Sequence, residues 1–100
     1  QIKTKDELTA HLNLWEDLDD YQKKPIGYIL ALEGADSIVN EDYLDHYYEM
    51  GLRSVSISHF GPGRYAAGTH SNNKGITSRG VGLLKKMNKM NKMILKRVWL

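Results

Sequence analysis

The feature that most constrains this chain is an alternation. Three short apolar segments, within residues 26–32, 53–60 and 93–100, are each preceded by a stretch whose apolar residues recur three or four apart. Runs this short suit strands, and strands separated by helices pair in parallel through right-handed crossovers. The order helix, strand, helix, strand, helix, strand therefore predicts an α/β chain of three helix-strand units. An open doubly wound sheet or an arc of a TIM (β/α)8 barrel would both give it, and a whole barrel needs roughly 250 residues. With 100 residues and 41% hydrophobic content the chain is sized for one domain.

Local signals place the elements. Thr4-Lys5-Asp6-Glu7 fits a capping box, and Leu8, Leu12, Trp15 and Leu18 follow at helical spacing, so a helix is expected from about residue 5 to about residue 20. Pro25 supplies the break, and the continuous apolar run Ile26–Leu32 suits a strand buried on both faces. Asn40 is a good N-cap with Glu41 and Asp42 in the first turn; Tyr43, Leu44, Tyr47, Tyr48 and Met50 then give a helix that Gly51 can end. Val55 and Ile57 alternate with Ser54, Ser56 and Ser58 in a strand that ends on His59. The turn-rich loop from about 60 to 75 exceeds the usual connection length, which marks it as functional or mobile. Thr77 can cap a third helix with Val81, Leu84, Met87 and Met90 on one face, and the last apolar segment, MILKRVWL, follows.

Composition narrows the function classes. There is no cysteine and no apolar run near the length of about 18 residues that a membrane span needs, so neither a disulfide framework nor a transmembrane segment is expected. The net charge of +2 hides an asymmetry. Residues 1–50 hold all 12 acids against 4 Lys and Arg, and residues 51–100 hold 10 Lys and Arg and no acid, so the halves sum to −8 and +10. A basic half can serve a polyanion partner, but a solvated helix face explains many such runs and is the favoured account. The start on Gln1 and the stop within RVWL suggest an internal piece of something longer.

The chemistry-bearing residues fall where parallel strands end. In either α/β architecture the C-terminal strand ends form the functional rim, and Glu33 and His59 both lie there, on strands expected to be neighbours. A carboxylate and an imidazole can approach a common ion or substrate, and a carboxylate can bridge two ions. A capping or salt-bridged Glu33 and a loop His59 are the structural alternatives. Asp36 and Ser37 read as caps of the next helix, and His11 and His46 as packing or surface residues. His70 lies in the long loop, where it could close over a ligand. Gly61, Gly63 and Gly68 match neither the P-loop nor the dinucleotide fingerprint, while Arg64 and Tyr65 between them are candidate substrate contacts.

At ALEGADSI, GLRSVSISHFGPGRYAAGT and GITSRGVGLLKKMNKMN the sequence resembles the renal, or membrane, dipeptidase family of zinc metallopeptidases, peptidase family M19. The three stretches occur in the family's order and near its spacing, covering residues 25–95, and IKTKDEL resembles the family's lead-in. A bacterial subgroup with EGAD and HxGPGRYAGGT-like segments looks most similar, leaving bacterial cytoplasm and periplasm both open as compartments. The resemblance implies an arc of a TIM barrel of the metallo-dependent hydrolase type, with two zinc ions at the rim and a dipeptide substrate cleaved by a metal-activated water. Glu33 matches the glutamate that bridges the metals, and His59 the histidine beside the scissile amide.

The family's other metal ligands, a His-x-Asp pair on the first strand and two histidines on later strands, are not matched. Lys92 stands as an insertion before Met93, and the third strand lacks the family's histidine ending. The Lys-Met-Asn repeats there suggest either a slip of reading frame or a cloning artefact; sequencing of the source DNA would overturn the first by finding no alternative frame that restores a histidine. Residues 1–100 are thus expected to form a single partial domain that binds zinc poorly and is inactive by itself, with open sheet edges that favour self-association. No nucleic acid partner is expected. The alternatives are a small basic polyanion-binding module using Arg64, Lys74, Arg79 and the Lys-rich helix, and a noncatalytic barrel relative.

Overall fold

The computed structural model describes residues 1–72, 75–90 and, as backbone, 95–97. Helix α1 (Lys5–Asp17) begins with the expected capping box. Thr4 Oγ1 accepts the Glu7 N–H at 3.1 Å, and the Glu7 carboxylate accepts the N–H groups of Lys3 at 2.5 Å and Thr4 at 3.1 Å. The bond from Lys3 is the main reason the Glu7 carboxyl sits below its ordinary pKa. The helix ends before residue 20 because Leu18 turns extended and Asp20 caps a separate 3-10 turn, Tyr21–Lys23. Its inward stripe also differs from the expected one. His11, not Leu12, is half-buried beside Leu8, Trp15 and Leu18, and Leu12 is exposed. The space for His11 exists because residue 27 is glycine; a Cβ there would meet His11 Nε2 at 2.7 Å.

Strand β1 (Ala31–Glu33) is shorter than the apolar run before it suggested. Ile26 is 90% exposed, and Tyr28 and Leu30 are also exposed, so the expected burial on both faces does not hold. The backbone explains this. Tyr28 O accepts from Ile2 N–H at the chain start, full ladder pairing begins at Ala31, and among the described residues no second layer covers the run. Asn40 Oδ1 accepts the Asp42 N–H at 2.9 Å and opens a 3-10 turn, Glu41–Tyr43, which leads into α2 (Leu44–Glu49). Leu44 is fully buried, Met50 lies outside the packed face, and Gly51 ends the helix at φ +106°.

Strands β2 (Ser54–Ser56) and β3 (Leu95–Arg97) complete a parallel sheet of order β1-β2-β3. Each strand neighbours its successor, with Ala31 opposite Ser54, Leu32 opposite Val55 and Glu33 opposite Ser56. Strand alternation puts Ala31, Glu33, Ser54 and Ser56 on one face and Leu32 and Val55 on the other. The second face meets the helices, and Val55, Ile57, Ile38, Leu44, Leu83 and Met87 form the fully buried centre of the core.

Helix α3 (Ser78–Met90) is capped by Thr77, whose Oγ1 accepts the Gly80 N–H at 3.1 Å and donates to Arg64 O at 2.6 Å. Gly80, Leu83 and Met87 are its buried residues; Leu84 and Met90 are partly buried against the core, and Val81 is exposed. The helix is rotated from the expected face because Gly80 packs onto the preceding loop, where a Cβ would stand 2.0 Å from Tyr65 O. Of the expected third strand, Leu95–Arg97 pairs as β3, and Lys92 and the chain end lie outside the described residues. Among the described residues no helix is long and apolar enough to cross a membrane.

Candidate functional site

The C-terminal ends of β1 and β2 are tied by the Ala35 N–H, which donates to Ile57 O at 3.2 Å. Glu33 ends β1, and Gly34 takes φ +86°, a left-handed conformation that strains other residues and turns the chain off the sheet at once. Three residues beyond β2 stands His59, with Nδ1 3.3 Å from Glu33 Oε1. The pair is accessible: the Glu33 side chain is 71% exposed and that of His59 45%.

The loop after His59 is folded back on itself. His59 O accepts both the Thr69 N–H at 2.9 Å and Thr69 Oγ1–H at 3.1 Å, and Phe60 O accepts the His70 N–H at 2.9 Å. The His70 ring stacks on Phe60 at 5.2 Å, and Phe60 lies 3.9 Å from the His59 ring. Gly68, at φ +84°, packs where a Cβ would be 2.2 Å from Gly61 O. His70 thus borders the site through Phe60.

Two clefts meet at the Glu33–His59 pair. One, of about 560 Å³, lies over the open sheet face and is lined by Ala31, Ser54, Ser56, Phe60 and Thr69 besides the pair. The other, of about 430 Å³, runs between the β1 and β2 loops past Gly34, Asp36, Ser58 and Gly61. Ser58 is 3% exposed, and its hydroxyl has no hydrogen-bond partner among the described residues.

The other expected site residues stand elsewhere. Tyr65 is 1% exposed in the core, its hydroxyl donating to Ile38 O, and burial pushes the phenol pKa up. Tyr65 therefore packs in the core in this chain, because the same loop that carries Arg64 outward carries the next side chain inward. Arg64 is exposed and lines neither cleft; its backbone N–H donates to Asp36 Oδ1 at 2.9 Å. That bond is what the sequence reading missed. Asn40 already caps the helix after β1, so Asp36 was surplus as a cap, and this was the available hint that it holds something else. Ser37 likewise does not cap: its carbonyl accepts from Tyr47 Oη–H at 2.9 Å. His11 packs against Gly27, while His46 is a surface residue whose ring lies 6.3 Å from that of Tyr47. On α3, Lys86 pairs with Asp45 at 2.5 Å, so its basic face is partly neutralised from within.

Residues 2–95 match the profile of the membrane dipeptidase family, peptidase family M19. The chain belongs to that family. No curated protein and no solved structure matches it significantly. Membership assigns the chain to a dipeptidase-type hydrolase family whose members are generally metal-dependent. The donors in hand do not make a complete centre: among the described residues no group of three His, Cys, Asp or Glu is placed to hold a metal ion. Glu33 and His59 supply donors of the right kind and too few of them.

Proposed function

We propose that this chain is the part of a membrane-dipeptidase barrel that carries the metal-bridging carboxylate, Glu33, and the substrate-side histidine, His59. The observation that carries the reading is their 3.3 Å approach at adjacent C-terminal strand ends. Family membership supports it, and so does a parallel sheet in which each strand neighbours its successor, as barrel closure demands. The small residues Ala31, Ser54 and Ser56 leave the sheet face open beneath the pair.

Within such a site the chain's own groups have distinct tasks. Glu33 offers two carboxylate oxygens at the rim, and Ser56 opposite it is small enough to leave them clear. His59 can donate a hydrogen bond to an amide oxygen, and Phe60 shields one side of its ring. With two donors the isolated chain is expected to bind zinc weakly and to hydrolyse no dipeptide. Joined to the missing ligands in a full barrel, Glu33→Ala should lower zinc-dependent dipeptide hydrolysis by more than the roughly 10–100-fold that loss of an outer-sphere partner costs. A rate that Glu33→Ala leaves untouched would sink the assignment.

A further inference from the structure

We infer that Asp36 is a positioning residue that sets His59 against Glu33 by fastening the loop after β2 to the turn after β1. Two features of one contact carry it. Its Oδ1 accepts the Arg64 N–H at 2.9 Å across 28 positions of sequence. The backbone also comes so near that a Cβ on Gly63 would stand 2.6 Å from the same oxygen, so the glycine is needed for the approach.

Fastening Arg64 holds His59 because the intervening loop is internally braced. Gly63 N–H donates to Ala66 O at 2.9 Å, and Thr69 and His70 donate back to His59 and Phe60. On the far side, Thr77 N–H donates to Tyr65 O at 3.0 Å and Thr77 Oγ1 to Arg64 O, which anchors the loop to the start of α3. Among the described residues the loop is therefore attached to the start of α3 on one side and, on the other, to the segment that follows Glu33, through Asp36 at Arg64 and through the Tyr65 hydroxyl on Ile38 O. Asp36 is the bond nearer to both Glu33 and His59 in sequence; losing it leaves that side held by the Tyr65 bond alone and loosens the 3.3 Å pair. The fastening stands on geometry; its consequence for hydrolysis rests on the dipeptidase reading.

The test is made on this chain without metal or substrate, so failure of the dipeptidase reading leaves it decisive. In Asp36→Ala, amide exchange at Arg64 should accelerate about fivefold or more, the loss expected for one hydrogen bond. The His59 ring resonances, which should respond to Glu33→Gln in the parent chain, should no longer do so. Asp36→Asn keeps an Oδ1 acceptor and should restore both readouts. Gly63→Ala, which pushes the same contact apart while leaving the carboxylate, should reproduce the alanine result and decides the matter if Asp36→Ala fails to fold. Unchanged Arg64 exchange in Asp36→Ala or Gly63→Ala overturns the inference. So does an asparagine variant as loose as the alanine one, since charge rather than an accepting oxygen would then be at work.

Discussion

Helices α1 and α3 are each 13 residues long and each begins at a threonine whose hydroxyl accepts an N–H three residues on, yet they do different work. No residue of α1 is buried, whereas α3 buries Gly80, Leu83 and Met87. The region before β1 is held mainly by polar ties, such as Trp15 Nε1–H to Pro25 O at 2.6 Å and Ile2 N–H to Tyr28 O at 2.8 Å. From β1 through α3 the chain is held by a continuous apolar core. A cap decides where a helix starts, and burial decides what the helix contributes once formed. The candidate site sits wholly on the second region.

The sharpest test of that contrast is a matched pair of truncations. Leu83→Ala empties a fully buried position and should cost about 2–5 kcal/mol in urea-induced unfolding. Leu14→Ala, at an α1 position 44% exposed, should stay within about 0.5 kcal/mol. Equal losses would mean that α1 is buried in solution, and the contrast would fail.

The same contrast explains what the sequence made legible. Local chemistry was readable: the Thr4, Asn40 and Thr77 caps, the Gly51 stop and parallel pairing all follow from short-range rules. So was the meeting of Glu33 and His59, because strand ends converge whichever layer covers the sheet. Hydropathy misled where the partner surface was the unknown. Ile26, Tyr28 and Leu30 look buried in sequence, but a residue is buried only when something packs on it. The burial of Tyr65 and the bond of Asp36 were not legible for a related reason: the loop's fold depends on long-range hydrogen bonds to Ile38 O and Arg64 N–H, and no local pattern encodes these. Glycines carry part of that information, since Gly27, Gly63 and Gly80 each mark a place where another segment comes within reach of an added Cβ.

Arg53 joins the two regions, and removing it should have the next largest effect. The side chain is buried, with Nε donating to Lys3 O at 2.7 Å and one terminal nitrogen to Tyr48 O at 2.6 Å and Leu52 O at 2.8 Å. Its guanidinium also lies 3.5 Å over the Tyr48 ring. Arg53→Met keeps volume but leaves the carbonyls without these donors, a loss of about 1–3 kcal/mol. Arg53→Lys should recover a part, because an ammonium cannot reproduce the planar fork. Amide exchange at Ile2 should rise in Arg53→Met if the guanidinium couples the arm to the core; no change there would show the regions to be joined by other contacts.

The smallest effect separates the two caps by pH. The Glu7 carboxyl is held below its ordinary value of 4.5, chiefly by the Lys3 N–H, so the folded state binds its proton more weakly than the unfolded state. Its contribution is therefore present above pH 4.5 and is lost as the pH falls through the lower folded value. Thr77 does not titrate in that range, so α3 has no corresponding loss at its own cap. Followed by amide shifts, α1 should fray on acidification while Gly80 near the start of α3 holds its position, and Glu7→Gln should flatten the response of α1. A parallel drift at Gly80 would mean that fraying of α1 reaches the core, in which case α1 could not be regarded as an arm held by local ties.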